Sequence, residues 1–519
     1  MAFSTETRPA LLNQVLQRTE RRYRIPATPV LPTQTANSNP ADIIALAIEA
    51  ARKLVAYKET PPAAIRHCFL DALSRLIQDA MREDRGDLTF QAMVLQYLTP
   101  QIQDYAELAS KANEDQRTVR TAVNAIAHPA KQKRASSAGV ADALAQLYKL
   151  AASCSWGQLN ATARRILSLP AIADEPAMAN SLERILEDAA LQRLRSMETL
   201  EADTQVRQYL ALRERSGPRQ GSADAAGQGS TAKERGAAVE TQTAQALWQL
   251  ARRLDQAEGS SGNYKVVTSL CIPPSLLKGV ERAKAEWDAV LLGRANAPEP
   301  RSAHGKPGEQ DETVWNVLLL VEAKASIDAV ATDLPRLLRG LRVLIDARAD
   351  ATYVFLTQQG PVRISADSLK LLGTAEDATS DARSPNEASA VARHNSLPLE
   401  TNVVSAGSNP VQAVAVAPAP EGASLAESVL YCCSTAEESA PRLLSAASRM
   451  QLLSTNAALQ FAAALLEHGR ANPQLLEPIW HNLLTERRWK AVLNQYATLH
   501  QARELAVNLE DLVAAIEMA

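Results

Sequence analysis

The segment Val314–Ser326, VWNVLLLVEAKAS, constrains the fold more than any other stretch of the chain. Its apolar run predicts a buried strand, and that strand ends in an acid and a lysine two residues apart. Side chains along a strand alternate with period two, so Glu322 and Lys324 leave the same face. Carboxylates and ammoniums are rarely driven into the end of a core strand unless they are paired or used there. The segments around it agree in period. A helix from Lys233 to about Ala257 precedes the strands YKVVTSLCI and AEWDAVLL, and a helix in TDLPRLLRGLRVLIDARAD precedes the strand ATYVFLT. The order helix, three strands, helix, strand is the one convincing mixed α/β region of the chain.

The remainder reads as helical. The chain has 519 residues, enough for two to four domains. Hydrophobic residues make up 46% of it but aromatics only 4%, so the apolar material is mostly Ala, Leu and Val, which favours helices over a β-sandwich. Residues 1–39 are polar and Pro-rich and are expected to be disordered. Residues 40–215 repeat apolar positions at three- and four-residue steps, as in ADIIALAIEAARKLVAY, and predict an all-helical domain. Residues 216–231 have linker composition, 232–373 hold the α/β module, 374–423 are of low complexity, and 424–519 predict a helical C-terminal region.

Candidate chemistry gathers in the α/β module. Asp288 opens the strand WDAVLL, and Glu322 and Lys324 close the next one. In an antiparallel pair the start of one strand lies beside the end of the other. Asp288 and Glu322 are 34 residues apart, but GRANAPEPRSAHGKPGEQDE between them reads as a long loop at the hairpin tip. Two hard carboxylates at one sheet end suit Mg²⁺ or Mn²⁺, and a neighbouring ammonium can orient or help deprotonate an attacking water. On the upstream helix Gly236, Glu240, Thr243, Leu247, Leu250 and Leu254 follow helical spacing, which places Glu240 on the stripe expected to face the sheet.

With WD carrying the first acid, EAK the acid–lysine tripeptide and RGAAVE an acid on the first helix, residues 230–365 resemble the PD-(D/E)XK nuclease superfamily. The resemblance implies a restriction-endonuclease-like α/β core (αβββαβ) flanked by all-α N- and C-terminal regions. It implies metal binding by Asp288 and Glu322 with help from the Ala323 carbonyl, water positioning or activation by Lys324, and completion of the metal or water network by Glu240. Trp287 stands where the motif's proline would be, and the second helix lacks a RecB-like glutamine motif. The implied activity is Mg²⁺-dependent hydrolysis of nucleic acid, with DNA favoured.

A catalytically silent nuclease-fold scaffold is the alternative from a different class, and a secreted bacterial nuclease effector is a third reading. The plain structural alternative is a Glu–Lys pair capping a sheet edge, with Asp288 in a turn. Arg336, Arg339 and Arg342 flank the leucine stripe of the second helix, where they serve either as phosphate contacts or as solvated helix charges. Lys131, Lys133 and Arg134 read as a basic interhelical loop, and Trp248, Trp287 and Trp315 as packing residues. A net charge of −3 gives no global basic field for covering long DNA. Five cysteines without CxxC spacing and seven scattered histidines fit a reducing compartment and no zinc cage. No apolar run is long enough to span a membrane and the N-terminus lacks a signal-peptide core, so a cytoplasmic location is expected, with protein partners on the helical flanks.

Overall fold

Apolar residues run almost without a break along the central strands, and because successive side chains leave opposite faces, the sheet carries a core on each. The computed structural model describes residues 8–26, 38–133, 137–217, 223–277, 283–295, 313–348, 351–372, 425–435 and 441–519. It is a mixed α/β structure with one seven-stranded sheet and many helices. The strands are β1 (Tyr264–Cys271), β2 (Glu286–Arg294), β3 (Val314–Lys324), β4 (Thr352–Phe355), β5 (Val362–Ser365), β6 (Val429–Cys433) and β7 (Ala506–Asn508). β1, β2 and β3 are antiparallel neighbours. β5 runs parallel to the start of β3 and carries β4 on its outer side. β6 runs parallel to the end of β3 and is followed by β7.

On one face Val266, Leu291, Leu319, Val321 and Leu430 pack with Leu247, Leu250 and Leu254 of the long helix Ala223–Ala257. The helices Ala10–Arg18 and Leu509–Met518 complete that layer. On the other face Val267, Val290, Leu292, Leu320, Val429 and Tyr431 pack with Leu334, Leu337 and Leu341 of the helix Ile327–Arg342. Ser326 caps this helix by accepting from the Ala329 N–H at 3.3 Å. It carries Pro335 in its interior.

Several sequence expectations change here. The strand ATYVFLT does form, as β4, but it does not lie beside β3. The neighbour of the end of β3 that carries Glu322 and Lys324 is β6, from a segment expected to be helical. Its short apolar run SVLYCCS is too brief to show a period, and pairing with β3 decides its conformation. β7 likewise interrupts the predicted C-terminal helices. Residues 8–26, expected to be disordered, include a helix that buries Leu12, Val15 and Leu16. Its amphipathic stripe supplies the apolar area that the polar flanks lack. The long helix begins at Ala223, within the expected linker. The low-complexity segment 374–423 and the greater part of the hairpin insertion lie outside the described residues.

The chain divides into two compact units, both discontinuous. One comprises Met1–Ala72, Ala226–Arg449 and Trp480–Ala519 and contains the sheet; the other comprises Leu73–Ala225 and Met450–Ile479. The second unit is helical. Val123, Leu144, Leu147, Trp156, Leu159 and Leu194 form its main core. Buried Asp115 accepts two hydrogen bonds from Arg193, at 2.8 and 2.5 Å, tying Pro100–Ala127 to Ala189–Leu200.

Candidate functional site

Strand register brings the acids together. Ala289 pairs with Val321 and Leu291 with Leu319, so continuing the same register sets Asp288 opposite Glu322 at the end of β2–β3. Asp288 Oδ2 accepts from the Ala323 N–H at 2.9 Å and from Lys324 Nζ at 3.0 Å. The same ammonium lies 3.0 Å from Glu322 Oε2 and 3.0 Å from the Ala323 carbonyl. Asp288, Glu322 and Lys324 thus meet at one point.

Three further residues complete the cluster. Lys284, just before β2, donates from Nζ to Glu322 Oε2 and, at 3.0 Å, to Asp333 Oδ2. Asp333, on the helix Ile327–Arg342, also accepts from the Tyr431 hydroxyl at 3.2 Å. Tyr431 sits beside Glu322 in the β3–β6 register, and its ring lies 5.9 Å from Lys324 Nζ. Sequence reasoning missed all three. A signal existed for Asp333, which stands between Val330 and Leu337 at helical spacing on the edge of the apolar stripe. Lys284 and Tyr431 carried none, because a lysine four residues before an acid and a tyrosine in an apolar run are ordinary patterns.

Glu322 is fully buried, with 0% exposure, and its Oε1 has no hydrogen-bond partner. Burial, reinforced by the charge of Asp288 and only partly offset by Lys284 and Lys324, pushes its pKa up to about 8. Burial pushes Asp288 upward too, but the hydrogen bond to Glu322 and the two ammoniums outweigh it and hold Asp288 below its ordinary value. The two carboxyls therefore titrate as a pair. For Lys324, burial favours the neutral amine, yet Glu322, Asp288 and Asp333 outweigh it and raise its pKa. Burial and the charges of Asp333 and Glu322 likewise raise the Tyr431 phenol.

The remaining expected residues lie further out. Glu240 is exposed and not on the buried stripe, which runs through Val239, Thr243, Leu247 and Leu250. Thr243, Leu247, Leu250 and Leu254 are buried as expected, but one turn before Thr243 the inward position falls to Val239, because 3.6 residues per turn leaves positions 239 and 240 on either side of the stripe. The pKa of Glu240 is nevertheless raised, first by partial desolvation and then by the charge of Asp288. Arg336 and Arg342 are exposed and Arg339 is half-buried, and Arg336 stands 3.9 Å from Asp333. Lys131 and Lys133 are exposed in the helical unit, and Arg134 lies outside the described residues. Trp287 is buried and stacked on Phe355, and Trp315 is half-buried beneath Lys265, whereas Trp248 is 43% exposed. Its ring lies off the stripe of Leu247, Leu250 and Leu254.

The donor set suits a small hard cation. Asp288 and Glu322 offer carboxylate oxygens side by side, and no N–H or O–H of the chain donates to Glu322 Oε1. Among the described residues no group of three or more His, Cys, Asp or Glu side chains has metal-holding geometry. An ion at Asp288 and Glu322 would therefore draw its remaining ligands from backbone, water and substrate oxygens. Also among the described residues, no helix is long and apolar enough to cross a membrane. Comparison with protein-family models, with curated proteins and with solved structures returned no match to this chain.

Proposed function

We propose that the chain is a divalent-metal-dependent nuclease hydrolysing phosphodiester bonds of nucleic acid, DNA being the favoured substrate, on a restriction-endonuclease-like core. One observation carries the reading: a single ammonium, Lys324 Nζ, is 3.0 Å from carboxylates on two adjacent strands, Asp288 and Glu322. The order long helix, β1–β2–β3, helix and then parallel β6 beside β3 supports the αβββαβ core, with β4 and β5 as an addition before β6.

Asp288 and Glu322 would hold Mg²⁺ or Mn²⁺, which when bound supplies Lewis-acid charge and a more acidic water. The chain's own residues do the rest. Lys324 is held protonated by its carboxylate neighbours, so it acts as a hydrogen-bond donor and fixed charge, not as a base. From that position it orients the attacking water and stabilises negative charge growing on the phosphoryl oxygens. Lys284 and Lys324 keep the buried Glu322 from standing as an uncompensated charge, and Asp333 holds the Lys284 ammonium in place. Arg336, Arg339 and Arg342 lie along the helix that carries Asp333 and offer phosphate contacts.

A second reading draws on the same cluster. Two ammoniums already neutralise Glu322, and such self-compensation would also suit a silent nuclease-fold scaffold. One experiment separates the two: purified protein incubated with linear, circular and single-stranded DNA and with RNA, in Mg²⁺ or Mn²⁺ against EDTA. Metal-dependent cleavage that disappears in Asp288→Asn is the expected result. No cleavage of any substrate would sink the nuclease reading and leave the scaffold.

A further inference from the structure

Lys284 is held differently from Lys324. Its backbone is fastened to the helix Ile327–Arg342: its N–H donates to the Arg336 carbonyl at 3.0 Å. Its own carbonyl lies so close to Gly340 that a Cβ there would stand 2.6 Å from it. The ammonium is then placed between two carboxylates from different elements, Glu322 of β3 and Asp333 of the helix, with the Lys284 and Asp333 side chains each only 11% exposed. Tyr431 fixes Asp333 from the β6 side. Hard oxygens converging from separate elements, with little water, are the surroundings of a bound cation. Lys284 meets Glu322 through Oε2 alone, and the Oε1 of this fully buried side chain accepts from no N–H or O–H of the chain.

We propose that the Lys284 ammonium permanently occupies a second cation position, between Glu322 and Asp333, so that removing Lys284 opens a site for one additional divalent ion. For its chemistry the inference rests on the nuclease reading, and it specifies how charge is divided there. Three carboxylates, Asp288, Glu322 and Asp333, face two ammoniums, Lys284 and Lys324. One divalent ion and one phosphodiester bring that buried set to neutrality. A second divalent ion beside an intact Lys284 would leave it strongly positive. The fixed ammonium thus supplies, without exchange with solvent, the charge that a second ion would bring.

The test is ion stoichiometry, which a purely packing role for Lys284 would not move. Mn²⁺ bound to the full chain is counted by calorimetry and by the loss of its free paramagnetic signal. The proteins compared are wild type, Lys284→Ala, Asp333→Asn and the double variant. Lys284→Ala should bind one more ion than wild type; Asp333→Asn and the double variant should not. A folded Lys284→Ala with the wild-type count, or an extra ion that persists in the double variant, overturns the proposal. Should Lys284→Ala fail to fold by circular dichroism, Lys284→Gln keeps most of the side chain's volume without its charge and is judged by the same count. Wild type binding no Mn²⁺ would defeat the metal-dependent reading alone, since a gain of one ion in Lys284→Ala would still support the second position.

Discussion

Lys324 touches Asp288, Glu322 and the Ala323 carbonyl at once, so its removal separates chemistry from charge balance. Lys324→Ala should lower nuclease turnover by about 10²- to 10⁴-fold while Mn²⁺ affinity, measured by calorimetry, changes far less. Equal loss of both would make the lysine a counter-ion only. Asp288→Asn and Glu322→Gln should each weaken Mn²⁺ binding by at least about tenfold with the circular dichroism spectrum preserved. Unchanged affinity in both would remove the metal site. The raised Glu322 pKa also makes stability depend on pH. Its ordinary value is 4.5 and its folded value about 8, so the folded state binds the extra proton between them. Stability from this group is complete below the lower value and is lost as pH rises through the upper one, by at most about 1.4 kcal/mol per pH unit. Thermal melts without metal should therefore fall over that window, and Glu322→Gln should flatten the fall; an unaltered profile in the variant would assign the dependence elsewhere. At this scale the sequence was legible where period-two alternation and antiparallel pairing suffice, which is how Asp288, Glu322 and Lys324 could be read. Lys284, Asp333 and Tyr431 converge from a loop, a helix and a remote strand, and no local spacing encodes that meeting.

At the scale of elements, the contact between the segment before β2 and the helix Ile327–Arg342 decides where Lys284 stands. Gly340 is required there because the Lys284 carbonyl occupies the place of a side chain. Gly340→Ala should cost about 1–3 kcal/mol through this overpacking, despite alanine's better helix propensity, and a melt showing stabilisation would refute the account. The leucine stripe of that helix was readable from its spacing, and Leu334, Leu337, Leu341 and Leu344 are all buried as it requires. The stripe of the long helix was readable from Thr243 to Leu254 but not at its start. Val239, not Glu240, turns inward, since both flank the line drawn back one turn from Thr243 and the apolar side chain takes the buried place. β6 was not legible at all. Its five residues are buried at every position, so the run has no alternation to betray a strand, and its partner β3 lies more than a hundred residues upstream.

For the whole molecule, the sheet is closed by residues far apart in the chain. Arg8 donates to the carbonyls of Leu318 and Glu427, Arg18 to that of Met518, and Asn508 to the hydroxyl of Tyr23. A fragment spanning 232–373, the module that composition suggests, lacks β6, β7 and the helices at both ends of the chain that cover one face of the sheet. It should be largely unfolded or aggregated by circular dichroism and size-exclusion chromatography, because the end of β3 would be a bare edge above an exposed apolar face. A stable monomeric fragment would show that the late strands are dispensable. Tyr431 gives this arrangement a temporal meaning. During synthesis Asp288, Glu322 and Lys324 leave the ribosome long before the strand that steadies Asp333. A nascent chain therefore carries Asp288, Glu322 and Lys324 before the frame that aligns them, and the cluster is complete only once β6 has docked against β3.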